Sequence, residues 1–240
     1  MRLDQLLVQK GLAQTRAKAA AMIMAGEVAL DGVMVDKPGK QIPATSNVFV
    51  KPRHSRFASR GGLKLEAALE QFPVNIKDRV LMDVGASTGG FTDCLLQHGA
   101  RRVIAVDVGY GQLAWELRQD PRVTVLEKTN IRHIKQEDIS TPVSGAVIDV
   151  SFISLRLVIP PVSALLQEKA FIIALIKPQF EVGKGQVGKG GVVRDPLKHR
   201  EVIERISAFA GAQEWNIEGC IPSPILGPKG NREFLICLIR

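Results

Sequence analysis

Residues 80–96 read VLMDVGASTGGFTDCLL: an apolar run that closes on a carboxylate and a hydrophobe, a glycine-rich turn, then a helical pattern. The run is apolar on both faces, as a strand must be when helices cover its sheet from two sides. Gly85, Gly89 and Gly90 fall at the turn, where a missing Cβ lets a ligand approach the backbone, and the following helix offers unpaired N–H groups at its start. Further apolar runs follow as RVIAVDV (102–108), RVTVLE (122–127), GAVIDV (145–150) and FIIALI (171–176), with helical stretches around 90–98, 111–118 and 154–167. Strands alternating with helices predict an α/β fold built on a Rossmann-like parallel sheet. A further helix is expected over 196–210, opened by Asp195-Pro196 as cap and first-turn pair. WNIEGCI (215–221) and EFLICLI (233–239), joined by a Pro/Gly-rich loop, are expected to pair antiparallel.

Three ligands compete for the turn at 85–90. A nucleoside triphosphate loop needs GxxxxGK[ST], but Gly90 is followed by Phe91. A dinucleotide loop wants GxGxxG, and Ser87 stands where the second glycine would admit the pyrophosphate. Asp83 separates the remaining options. A carboxylate at the mouth of the pocket would repel a pyrophosphate yet can accept hydrogen bonds from an ammonium group, which favours S-adenosylmethionine over NAD. Asp107, 24 positions later at the end of the second strand, is placed to take two ribose hydroxyls. The plainer alternative, a Gly-rich turn with chance acids, sits poorly with two carboxylates at strand ends, where open α/β sheets bind ligands.

Upstream of this body the character changes. Residues 1–60 hold ten Lys/Arg against four Asp/Glu, whereas residues 61–240 hold 22 against 20, so most of the +8 net charge sits in the first quarter. A compact basic piece on a nearly neutral body reads as a polyanion-binding appendage. Leu3, Leu6 and Leu7 share a helical face that Gly11 stops. Thr15 can cap a second helix carrying Ala19, Met22 and Ile23, and Asp31-Gly32 between two short β runs signals a hairpin. Arg2, Lys10, Arg16, Lys18, Lys37 and Lys40 supply the positive surface. KPRHSRFASRGG (51–62) is basic, holds Pro and Gly and lacks apolar periodicity, and is read as the linker. The domains expected are therefore 1–60, an α+β polyanion-binding piece with its basic linker, and 61–240.

Several classes are excluded. With 45% hydrophobic and 23% charged residues the chain is neither disordered nor fibrous. Its longest apolar run, AFIIALI, is far short of the roughly 20 residues that span a bilayer, and no secretory signal opens it, so a cytoplasmic protein without a membrane partner is expected. Cys94, Cys220 and Cys237 are far apart, form no metal-ligand spacing and read as buried hydrophobes; no metal is expected. EVGKGQVGKGGVVRD (181–195) nearly matches a P-loop through Gly183, Gly188 and Lys189, but Gly190 replaces Ser/Thr and no helix follows until Pro196. It reads as a mobile basic loop beside the site, or as an unstructured surface loop.

The RLDQLL opening, the T-R-x-x-A segment and GEVALDGVMV resemble the small RNA-binding module named after the fourth small-subunit ribosomal protein. Taken with DVGASTGGF, DVGYGQLAWELR, LEKTNIR, DVSFISL and LIKPQFEVGKGQVG, the whole chain resembles the TlyA family of ribosomal RNA 2'-O-methyltransferases, whose catalytic domain is of the FtsJ type. The resemblance implies a class I methyltransferase sheet, S-adenosylmethionine as cofactor and ribosomal RNA or a ribosomal subunit as partner, with a cytidine ribose as acceptor. It also implies a Lys-Asp-Lys-Glu set, which by motif is Lys64 in RGGLKLEAAL, Asp149 in VIDVSF, Lys177 in LIKPQF and Glu233 in NREFLI. The expected cofactor residues are Asp83, Gly85, Ser87, Thr88, Gly89, Gly90 and Phe91 on the turn, Asp107 and Val108 on the second strand, Asn130, and Asp149. A ribose hydroxyl is a poor nucleophile at neutral pH, so such a site must polarise one oxygen and align it with the methyl. Lys177 is expected to accept the proton, Lys64 and Glu233 to orient the ribose, and Asp149 to position Lys177. Taken without the resemblance, Lys64 on its amphipathic stretch would pass for a solvated lysine. Two rival classes are a non-catalytic ribosome assembly factor with a degenerate pocket, and the membrane-lytic activity implied by the hemolysin label some members carry.

Overall fold

The structure, a computed structural model, describes all residues except Gln14, Ala25, residues 51–55, Lys184 and Lys189. The chain divides into two compact units, Met1–His54 and Ser55–Arg240. In the first, helices α1 (Leu3–Gln9) and α2 (Arg16–Met24) precede strands β1 (Val28–Leu30), β2 (Val33–Met34) and β3 (Val48–Val50), which form a sheet ordered β2-β1-β3. Leu3, Leu6, Leu7, Ala19 and Ile23 close over Val28, Leu30, Val35 and Ile42 as one small core. Thr15 Oγ1 accepts from the Lys18 amide at 3.1 Å, capping α2 as its sequence predicts. Asp31 and Gly32 both take positive φ, +49° and +83°, the two-residue hairpin turn that Asp-Gly favours. Part of the basic surface is neutralised within the unit: Arg2 and Arg16 both pair with the buried Asp4.

The second unit opens with α3 (Gly61–Gln71) and continues through β4 (Val80–Val84), α4 (Gly90–Gln97), β5 (Arg102–Val106), α5 (Trp115–Gln119), β6 (Val123–Leu126), β7 (Val143–Ile148), α6 (Ile159–Ala164), β8 (Leu166–Ile176), α7 (Pro178–Glu181), α8 (Pro196–Ala212), β9 (Asn216–Pro222) and β10 (Phe234–Ile239). The sheet order is β6-β5-β4-β7-β8-β10-β9, and β10 alone runs against its neighbours. Alternate residues of each strand feed two cores. Met82, Ile104, Ile148, Ala174 and Ile236 face the side covered by α6 and α8, while Leu81, Ala105, Val147, Leu175 and Leu235 face the side covered by α3 and α4. Trp215 is fully buried among the first set, and its indole N–H donates to Ser163 Oγ at 3.0 Å.

Three local expectations are revised. The helix expected at 111–118 begins at Trp115, because Gly111 takes φ +69° and the preceding loop is pinned by side-chain bonds from Asp107 and Glu127. The stretch expected as one helix over 154–167 is a short turn at Leu155–Leu157, then α6, and Leu166 already opens β8. Pro160 and Pro161 are tolerated in the first turn of α6, where a missing N–H leaves no intrahelical bond unmade. Within the stretch read as linker, Phe57 is buried in the core that also holds Leu65 and Phe91, and the Ala58 amide donates to Asp93 Oδ2 at 2.7 Å. One aromatic ring and one amide thus draw residues 57–60 into the second unit, a signal too small for periodicity to reveal.

Lys189 of the glycine-rich stretch lies outside the described residues. The far end of that stretch is anchored. Asn231, 3% exposed, accepts from the Val193 amide and donates to the Gly191 and Pro228 carbonyls. Among the described residues no helix is long and apolar enough to cross a membrane.

Candidate active site

The two-residue period of the strands carries polar groups to one edge of the sheet. Two positions beyond Leu81, Ala105, Val147 and Leu175 stand Asp83, Asp107, Asp149 and Lys177, and two positions before Leu235 on the reversed strand stands Glu233. Pairing of Phe234 with Ile176 makes Glu233 and Lys177 the next pair outward. Lys177 Nζ lies 2.6 Å from Asp149 Oδ1 and donates to Ser151 Oγ at 2.9 Å; Lys64 Nζ lies 2.6 Å from Glu233 Oε2. Lys64, Lys177 and Glu233 are all buried and Asp149 is half-buried, so the four residues are two ion pairs rather than solvated charges. A buried pair adds little net stability, while removing one partner strands the other at about 3–5 kcal/mol. Two such pairs at one sheet edge point to chemistry rather than to scaffolding.

Beside them opens a cleft of about 440 Å³. Of the expected cofactor residues, Gly85, Ser87, Asp107, Val108, Asn130 and Asp149 line it. Gly85 has φ +88°, and a Cβ there would sit 2.6 Å from the Asp149 carbonyl oxygen, so only glycine fits. The Asp107 carboxylate accepts from the Ser87 amide at 2.8 Å and the Gly109 amide at 2.7 Å, which fixes its orientation while leaving lone pairs for a ligand.

The other expected cofactor residues are not on the cleft wall. Thr88 is exposed elsewhere on the turn, and Phe91 belongs to the core. Gly89 and Gly90 are small because neighbours press on them: a Cβ would meet Leu117 at 2.3 Å and Ser59 Oγ at 2.2 Å respectively. Asp83 lies behind the wall instead of at the mouth. It is fully buried, accepts from Thr92 Oγ1 at 2.7 Å, and its other oxygen has no partner. Burial pushes its carboxyl up to about 7 against the Thr92 bond, with the nearby Asp149 adding to the rise.

The sequence reading missed a second cavity, of about 350 Å³, lined by Lys177, Gln179, Phe180, Lys229 and Asn231 and sharing Ser151 and Phe152 with the first. Asp149 faces one cavity and Lys177 the other, so their ion pair spans the boundary. Phe152 is 89% exposed with φ +64°, and its ring lies 4.9 Å from that of Phe180. An exposed aromatic in the left-handed region is a costly arrangement. The aromatic in DVSFISL was the available signal. Among the described residues no group of three or more His, Cys, Asp or Glu is placed to hold a metal. The cleft suits a nucleoside-bearing cofactor: Asp107 presents an oriented carboxylate, Gly85 opens the floor, and the volume is ordinary for a small-molecule pocket.

Comparison with known proteins matches residues 57–240 to the FtsJ-like methyltransferase family and residues 1–48 to the S4 domain. The chain is 52% identical to "Putative rRNA methyltransferase YqxC" of Bacillus subtilis, over 99% of this chain and 85% of that protein. It is 47% identical to the 16S/23S rRNA (cytidine-2'-O)-methyltransferase TlyA of Mycobacterium tuberculosis, over 99% of this chain and 89% of that one. Among solved structures, "Putative hemolysin from Streptococcus thermophilus" superposes with a TM-score of 0.79 at 44% identity, covering all of this chain and 88% of that one.

Proposed function

The chain belongs to the FtsJ-like methyltransferase family, in its TlyA-type branch, and from that premise we propose that it transfers a methyl group from S-adenosylmethionine to the 2'-hydroxyl of a cytidine in ribosomal RNA. The observation that carries the reading is the Lys177–Asp149 ion pair on the boundary of two adjoining cavities, with Lys64–Glu233 beside it in register. One cavity takes the methyl donor and the other the ribose. Gly85, Ser87, Asp107, Val108, Asn130 and Asp149 would hold the donor, Asp107 through its ribose hydroxyls. S-adenosylmethionine bound there supplies a methyl group already activated on a positively charged sulfur.

What is left to the protein is the acceptor. Lys177, after its ammonium has released one proton to solvent, accepts the 2'-hydroxyl proton on the neutral amine, which Asp149 and Ser151 hold toward the boundary. Glu233 and Lys64 orient the sugar in line with the methyl. Phe152 offers an aromatic face on the acceptor side, suited to a base swung out of its stack. The basic S4-type unit grips folded RNA, and the reaction takes place where ribosomes are, in the cytoplasm.

The test is methyl transfer to purified ribosomal subunits, with the modified ribose mapped. Lys177→Ala should lower turnover by about 10³-fold or more, with donor affinity by calorimetry unchanged within about 3-fold. Near wild-type methylation by that variant would remove Lys177 from its role. No donor uptake by the wild type, alone or with subunits, would sink the function itself.

A further inference from the structure

The segment after β7 and the segment after β8 are fastened together by successive rungs. Asp149 and Ser151 meet Lys177, the Phe152 ring meets that of Phe180, and Ser154 and Leu155 meet Glu181. The first rung belongs to the proposed chemistry. The last has no part in it, yet it is as closely bonded: Glu181 Oε1 accepts from the Leu155 amide and Oε2 from Ser154 Oγ, both at 2.7 Å, and the Glu181 carbonyl is held by Arg205 Nη2 at 2.8 Å. Glu181 is 7% exposed, and burial raises its carboxyl above the ordinary range despite these donors. A buried carboxylate without a full ion pair is an expensive tie between two loops, since an apolar contact would join them at no desolvation cost.

What lies between the rungs explains its use. Ser151 and Phe152 line both cavities, and Phe152 holds a left-handed backbone that unconstrained chain would leave for the extended or helical region. Asp149 and Lys177 fix this segment at one end only. Without a second fixed point at 154–155, Phe152 would relax and Ser151 would lose its register with Lys177.

We propose that Glu181 is a positioning residue for methyl transfer: by clamping Ser154 and the Leu155 amide it holds Ser151 and Phe152 in the geometry that aligns the acceptor ribose with Lys177. This rests on the function proposed above and adds a residue to it that touches neither donor nor acceptor.

The test is steady-state methylation of ribosomal subunits together with amide hydrogen exchange on the full chain. Glu181→Ala should lower kcat by about 10–100-fold, the worth of hydrogen bonds to a charged group, with KM for the donor within about 3-fold. Glu181→Gln, which can still accept from Leu155 and pair with the Ser154 hydroxyl, should recover to within about 5-fold of wild type. Exchange at the Leu155 amide should rise in the alanine variant and not in the glutamine variant. Ser154→Ala, which leaves the Leu155 bond to Glu181 in place and removes the Glu181 bond of the hydroxyl together with its longer 3.3 Å bond from the Arg156 amide, serves if Glu181→Ala does not fold; it should lose about 3–10-fold in kcat and couple to Glu181→Gln in a double-mutant cycle. Unchanged kcat in Glu181→Ala, or equal losses in the alanine and glutamine variants, would overturn the assignment. If the wild type transfers no methyl at all, the functional reading fails while the exchange data still decide whether Glu181 holds the segment.

Discussion

Adding one methyl group at Gly85 should be among the most damaging small changes in this molecule. Its φ of +88° is strained for any other residue, and the new Cβ would press on the Asp149 carbonyl, which is backbone and has no rotamer to yield. Gly85→Ala should lower donor affinity by more than about 10-fold and reduce thermal stability; calorimetry and a melting curve report the two separately. Asp83 makes a different prediction. Its carboxyl titrates near 7 when folded against 3.8 ordinarily, so the folded state holds a proton that the unfolded state releases early. Its contribution to stability therefore falls as pH rises from about 4 to about 7 and is constant above. Urea midpoints should drop between pH 5 and pH 8 in the wild type, and Asp83→Asn should flatten that drop. Sequence placed Asp83 at a strand end correctly but could not tell the wall of a cleft from the layer behind it, because that depends on which helix covers the strand. Lys64 shows the converse: its helix pattern reads as solvated, and only the return of β10 brings Glu233 to it.

Among the elements, those that announce themselves locally were legible and those fixed by distant partners were not. The strands of the sheet, α4 and the antiparallel end all follow from runs and caps. Asp195 accepts from the Leu197 amide at 2.9 Å at the start of α8, as Asp-Pro implies. Asp195→Ala should cost about 1 kcal/mol in urea unfolding, and Asp195→Ser much less. The helix read over 154–167 failed because β8 takes Leu166 for its own first pairing, with Val143, a tertiary choice that helical periodicity does not record. The glycines of the first turn read alike in the sequence, yet of the three only Gly85 lines the cleft, while Gly89 and Gly90 let α5 and α3 come close.

For the whole molecule, the charge imbalance along the chain translates into two separable properties. The second unit has its own two cores, and the first unit a third. A fragment beginning at residue 55 should unfold cooperatively and bind donor, yet bind ribosomal subunits more weakly and with a shallower dependence of log affinity on log salt, because it releases fewer counterions. Filter binding across a salt series measures this. Equal slopes would place the RNA grip in the catalytic unit instead.

The position of β10 in the sheet has one further consequence. It follows every other strand in chain order, yet it is inserted between β8 and β9 and brings Glu233 beside Lys64. Until β10 is in place the sheet ends at β8, β9 lacks the strand it pairs with, and Lys64 lacks its carboxylate. The acceptor side of the site is thus the last part of the sheet edge to be assembled, since it waits on the strand that comes last in chain order.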